Sequence, residues 1–130
     1  MIIQTDNLVI HCVDYRIIEK LHTFCNNKFK KYDLLTIPGC SLKLKDDMYN
    51  YCKENIDTLI KLHNIKNIII IEHENCLAYI NYYKNITNTN EIIEKQDKNT
   101  NILLNKLKID FPTLNYSNYY IKLDGNIISY

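Results

Sequence analysis

Two short clusters in this sequence combine residues able to hold a metal ion with residues able to handle a proton. The first is Cys12-Val13-Asp14-Tyr15-Arg16; the second, about sixty residues later, is His73-Glu74-Asn75-Cys76. Two thiolates and one imidazole suit zinc, and three protein ligands leave a fourth position open, as catalytic zinc sites do. Asp14 and Arg16 are two residues apart and can form a bidentate pair. A carboxylate fixed by arginine can accept a hydrogen bond from a metal-bound water and hold it for attack.

These residues act together only if the fold gathers them, so the elements around them matter. Residues 8–13 form a short apolar run that reads as a strand, with Cys12 at its end. From Tyr15 the period changes: Ile17, Ile18, Leu21, Phe24 and Cys25 recur at helical spacing. Residues 34–37 predict a second strand, stopped by Pro38-Gly39, and one long helix is expected over residues 42–63, with Met48, Cys52, Ile56, Leu59 and Ile60 on its apolar stripe. Ile68 to Ile71 is continuously apolar and predicts a strand covered on both faces, with His73 and Cys76 following it. A helix over residues 75–84, a polar loop over 85–90 and a further helix ending near Phe111-Pro112 come next. Residues 116–123 and 126–130 read as a strand pair around Asp124-Gly125. Strands alternating with helices imply a parallel sheet with crossover connections. The predicted fold is a single α/β domain over residues 1–130. Its mostly parallel sheet has the order 2-1-3-4 plus an antiparallel C-terminal strand, flanked by helices. In such a sheet, strands one and three are neighbours whose crossovers leave in opposite directions, and ligands gather at that crevice. Cys12, His73 and Cys76 would meet there.

The pair of motifs, C-x-D-x-R and then H-x-x-C, each at the end of a predicted strand, resembles the β-class carbonic anhydrases. The resemblance runs from about Leu8 to Tyr79, and more weakly to the strands around Gly125. It implies a β-carbonic-anhydrase-like fold and one zinc ion per chain, held by Cys12, His73 and Cys76. It also implies reversible hydration of carbon dioxide to bicarbonate by zinc-bound hydroxide, with Asp14 and Arg16 as the catalytic dyad. Tyr15, Gly39 and Cys40 are expected to line the substrate pocket, with Pro38-Gly39-Cys40 in the place of the family's Ala-Gly-Asn segment. The sequence departs from the family pattern at Glu72 and Leu77, where glycines are usual, and at Tyr15, where serine is common. In some members the aspartate itself closes the zinc site, a role open to Asp14. Cys40 is a second candidate for closing it, as a fourth ligand. The alternatives that remain are hydrolysis of carbonyl sulfide or carbon disulfide at the same site, and a zinc-binding protein without catalysis. A homodimer or higher homo-oligomer is the assembly the family implies.

Composition excludes other classes. A formal net charge of +1 in 130 residues gives no footprint for nucleic acid or a membrane surface. No stretch reaches the ~18 apolar residues of a membrane span, and residues 1–6 lack the basic region of a secretory leader, so a cytoplasmic location is expected. The five cysteines are odd in number and widely spaced, which reads as thiols or metal ligands rather than a disulfide framework. Cys25 and Cys52 fall on apolar helical faces and are expected in the core. His11, His22 and His63 are expected to be structural, and Tyr79 and Tyr82 are candidates for the neighbourhood of the site. No glycine-rich phosphate loop follows any strand, which counts against nucleotide binding.

Overall fold

The computed structural model describes residues 3–130. Met1 and Ile2, the start of the stretch read above for a leader, lie outside the described residues. Five strands form one sheet: β1 (Asn7–His11), β2 (Asp33–Thr36), β3 (Asn67–His73), β4 (Asn115–Ile121) and β5 (Ile127–Ser129). Their order is β2-β1-β3-β4-β5, parallel throughout except for the antiparallel β4–β5 pair. This is the predicted sheet. The connecting helices are α1 (Tyr15–Lys28), α2 (Ser41–Leu44), α3 (Tyr49–His63), α4 (Leu77–Tyr83) and α5 (Thr89–Asp110).

Alternation along the central strands divides the core. Leu8, Ile10, Ile68 and Ile70 pack with Leu44, Cys52, Ile56, Leu103 and Leu107, so this face is covered by α2, α3 and α5. Val9, Ile69 and Ile71 pack with Ile17, Leu21 and Cys25 of α1 and with Ile121. The run Ile68 to Ile71 therefore serves both faces, and each buried isoleucine contributes ~1.5–3 kcal/mol of transfer free energy. At the N-terminal end of the sheet a side-chain ladder crosses three strands. Asn67 Nδ2 donates to Asn7 Oδ1 at 3.0 Å and Asn115 Nδ2 donates to Asn67 Oδ1 at 3.2 Å.

The helix ends have local causes. Asp14 caps α1, its carboxylate accepting from Arg16 N at 2.9 Å. Asn88 caps α5 by accepting from Glu91 N at 3.0 Å, and Glu91 reaches back to the amide of Thr87 at 3.2 Å. Asn64, at a left-handed φ of 53°, ends α3, and Pro112 follows the end of α5.

Three expectations are corrected. The single helix expected over residues 42–63 is two, because residues 45–48 turn: Asp46 N and Met48 N both reach back to Lys43 O, at 3.1 and 3.0 Å. Adjacent Asp46 and Asp47 are poor helix-interior residues, and no glycine or proline marks the break. The strand expected at residues 68–71 extends to His73, so His73 belongs to the sheet rather than to the loop after it. The helix expected from residue 75 starts at Leu77, since Asn75 takes a left-handed φ of 51°.

Candidate metal centre

Three chain segments end at one point beyond the C-terminal edge of the sheet. Cys12 follows β1, His73 closes β3 and Cys76 caps α4. All three are buried, and one donor atom from each lies within 4.8 Å of the others. The two sulfurs are 4.0 Å apart. Sulfurs each ~2.3 Å from a tetrahedral ion stand ~3.8 Å apart, so the spacing fits a shared cation and is too long for a disulfide. All five cysteines are free.

The orientation of His73 fits the same use. Its Nδ1–H donates to Glu74 O at 2.9 Å, while Nε2 is buried and without a hydrogen-bond partner among the described residues. That leaves the Nε2 lone pair for a cation, with the other nitrogen fixing the ring. Glu74 is itself pinned, its amide donating to Ile121 O at 3.0 Å and its carboxylate accepting from Leu123 N at 2.9 Å. The Cys12 sulfur accepts from the amide of Gly39 at 3.3 Å. Sharing a proton with Cys76 holds the Cys12 thiol well below its ordinary range and drives that of Cys76 upward, with His73 and the Gly39 amide adding to the stabilisation of Cys12. Burial disfavours a charged His73, but the Cys12 sulfur, the Glu74 carbonyl and the Asp14 carboxylate outweigh it and raise its pKa.

Asp14 and Arg16 form the predicted bidentate pair. Arg16 Nη2 donates to Asp14 Oδ2 at 2.6 Å and Arg16 Nε to Oδ1 at 3.0 Å, while Nη2 also holds Asn75 O at 3.0 Å. This contact with Arg16 lowers the Asp14 pKa, so the carboxylate stays ionised. Asp14 Oδ2 is 3.9 Å from His73 Nε2, beside the cluster. In front of these groups opens a cavity of about 490 Å³, with Cys12, Asp14, Arg16 and Cys76 on its polar side and Val13, Tyr15, Pro38, Leu77 and Ala78 on its apolar side.

A family profile described as "Putative carbonic anhydrase" matches residues 3–112. The chain belongs to this family. An uncharacterized protein of Rickettsia conorii is 32% identical to it over 135 residues, covering 94% of this chain and 70% of the relative. One of Rickettsia bellii is 31% identical over 137 residues, covering 95% and 80%. The chain also resembles solved structures. The β-carbonic anhydrase CafD of Aspergillus fumigatus superposes with a TM-score of 0.68 at 13% identity, over 97% of this chain and 89% of that one. A structure from work on two tetrameric β-carbonic anhydrases of Sordaria macrospora gives 0.65 at 15% identity, over 97% and 81%. At that identity the agreement is one of fold.

Within this carbonic-anhydrase-family chain, the residues expected at the pocket separate. Tyr15 lines it and is 85% exposed. Gly39 and Cys40 are buried behind Pro38, which takes the place in the wall expected of them. Cys40 is also absent from the donor cluster. Its backbone has a φ of 51°, and its thiol turns to Ile10 O at 3.6 Å. Burial pushes that thiol well above its ordinary range. Cys25 and Cys52 are core residues, as expected. None of the other histidines joins the cluster: His11 Nδ1 donates to Cys12 O at 2.6 Å with its ring edge-on to His22, and His63 pairs with Asp33 at 2.7 Å. Tyr82 is exposed and Tyr79 is buried, and neither lines the cavity.

Sequence reasoning missed the polar group behind the cluster: Ser41, Glu72, Gln96, Asn99 and Thr100, all buried. Burial pushes the Glu72 carboxyl up to about 7, against the opposing effect of its hydrogen bonds to Ser41 and Thr100. One clue was available. Gln96, Asn99 and Thr100 continue the buried stripe of Leu103 and Leu107 along α5 at helical spacing.

Proposed function

We propose that this chain catalyses the reversible hydration of carbon dioxide to bicarbonate, with one zinc ion held by Cys12, His73 and Cys76. The observation that carries the proposal is the meeting of two sulfurs 4.0 Å apart with a buried, unpartnered imidazole nitrogen beside an arginine-clamped carboxylate. The donor set suits zinc over harder cations. When bound, zinc supplies a Lewis acid that makes water nucleophilic near neutral pH.

The chain's own residues do the rest. Asp14 accepts a hydrogen bond from the substrate water at Oδ2 and orients it. Arg16 fixes that carboxylate and keeps it ionised. Val13, Leu77 and Ala78 offer carbon dioxide an apolar wall. Water adds its oxygen to the carbon, and the proton released passes to solvent. Because cation binding displaces protons from the thiols and from His73, affinity rises with pH.

The cavity rim carries exposed apolar groups: Tyr15, Leu77 at 63% and Val13 at 48%. We assign this rim to contact with a second copy in a homodimer, which narrows the cavity around a small substrate. The free thiols suit a reducing compartment, the cytoplasm. The test is stopped-flow carbon dioxide hydration between about pH 7 and 9 on protein shown to carry one zinc per chain. A rate above buffer that rises with pH is expected. No rate at any pH, with zinc in place, overturns the proposal.

A further inference from the structure

Neighbouring residues of a strand point to opposite faces, so Glu72 and His73 serve different surroundings. Glu72 is 5% exposed and runs in among the helices of the α3/α5 face. Its Oε1 accepts from Ser41 N at 3.3 Å, from Thr100 Oγ1 at 3.1 Å and from the Ser41 hydroxyl. Ser41 Oγ also pairs with Tyr79 OH at 2.7 Å, and Tyr79 OH accepts from Asn99 Nδ2 at 3.3 Å. One carboxylate oxygen thus ties the end of β3 to α2, α4 and α5.

Each of the three donors hangs from an element in this network. The turn entering α2 carries Gly39, whose amide touches the Cys12 sulfur at 3.3 Å, two residues before Ser41. Cys76 caps α4, and Tyr79 lies in the first turn of that helix. His73 follows Glu72 in the chain, and its carbonyl accepts from Gln96 Nε2 at 2.8 Å, one turn of α5 before Thr100. Burying a carboxyl is costly, and an apolar side chain would fill such a space more cheaply. Stability alone therefore does not account for Glu72.

We propose that Glu72 is a positioning residue for the metal centre: it sets α2, α4 and α5 against the end of β3 so that Cys12, His73 and Cys76 converge. This rests on the zinc reading above. Glu72 Oε2 has no hydrogen-bond partner among the described residues, so an amide in its place loses no bond. Glu72→Gln keeps the three bonds to Oε1, whereas Glu72→Ala removes them all.

The test compares zinc affinity, by competition with a chromogenic chelator, and the visible spectrum of the cobalt-substituted full chain. Glu72→Gln is expected to stay within about threefold of the native affinity with an unchanged cobalt spectrum. Glu72→Ala is expected to bind zinc about 10–100-fold more weakly, the usual effect of losing an outer partner of a metal site, with altered cobalt bands. Leu107→Ala, a core truncation remote from the network, controls for lost stability and is expected to leave both readouts unchanged. Ser41→Ala removes the hydroxyl that links Glu72 to Tyr79 and leaves the Ser41 amide and Thr100 bonds to Glu72 in place, and a loss of threefold or more is expected from it even where Glu72→Ala does not fold. Native affinity in Glu72→Ala or in Ser41→Ala overturns the proposal, as does equal weakening in Leu107→Ala. A native chain that takes up no zinc overturns the functional reading itself, which separates the two failures.

Discussion

Replacing Gly39 by alanine tests how closely the backbone approaches the candidate site. Gly39 has a φ of +78°, and a Cβ there would lie 3.0 Å from both Cβ and Cδ2 of Leu42 and 3.3 Å from Cβ of Ala78. The left-handed backbone costs a non-glycine residue about 1–2 kcal/mol. Forcing a methyl into a packed wall adds about 1–3 kcal/mol, for a total of about 2–5 kcal/mol. Gly125 supplies the internal control. Its φ is +96°, but a Cβ there meets only the side chain of Lys20, at 3.3 Å and beyond. That chain can swing away, so Gly125→Ala carries the backbone cost alone. Urea unfolding of the two metal-free variants is therefore expected to differ by about 1–3 kcal/mol, with Gly39→Ala the weaker. Because the Gly39 amide donates to Cys12 and Leu42 and Ala78 flank the cluster, zinc affinity is expected to fall in Gly39→Ala and not in Gly125→Ala. Equal destabilisation of the two would refute the close-approach argument, and unchanged zinc affinity in Gly39→Ala would remove Gly39 from the surroundings of the ion.

The donor assignment predicts that Cys76→Ser loses stoichiometric zinc, and tightly bound zinc in that variant would sink the assignment. Cys40→Ser, by contrast, should keep one zinc per chain and the cobalt charge-transfer intensity of two thiolates, since its thiol faces Ile10; a drop in that intensity would make Cys40 a ligand. Asp14→Asn should retain zinc and lose about 10²-fold or more in carbon dioxide hydration, and an unchanged rate would take Asp14 out of the mechanism. For the metal-free chain, burial raises Glu72 from its ordinary 4.5 to about 7, so the native state binds this proton more tightly than the unfolded state does. The resulting stability is fully present below about pH 4.5 and is lost as pH rises through about 7, a fall of about 3 kcal/mol. Denaturation at pH 5 and pH 8 should show that fall in the native chain and not in Glu72→Gln; identical slopes would contradict it.

Much of the donor cluster was legible in the sequence because its residues flank elements with strong patterns. The isoleucine run of β3 and the helical period of α1 place His73 and Cys12 at strand ends, and the crossover rule makes those strands neighbours. The turn at residues 45–48 was not legible, since no glycine or proline marks it. Cys40 could be read as a ligand because it follows β2. In the structure its thiol lies against Ile10 O, apart from the donor cluster, and nothing in a serial reading shows that placement. The Glu72 network was hidden for another reason: its partners lie at Ser41, Tyr79 and Thr100, and only packing brings them to one oxygen.

The separation of the two candidate ligand cysteines by 64 residues carries a consequence for synthesis. At ribosomal rates of about 5–20 residues per second, Cys76 emerges about 3 to 13 s after Cys12. During that interval the growing chain carries Cys12 without Cys76, whereas the finished fold brings Cys12, His73 and Cys76 together. Capture of an ion must then wait until β3 slots beside β1, so metal uptake would time the completion of the central sheet.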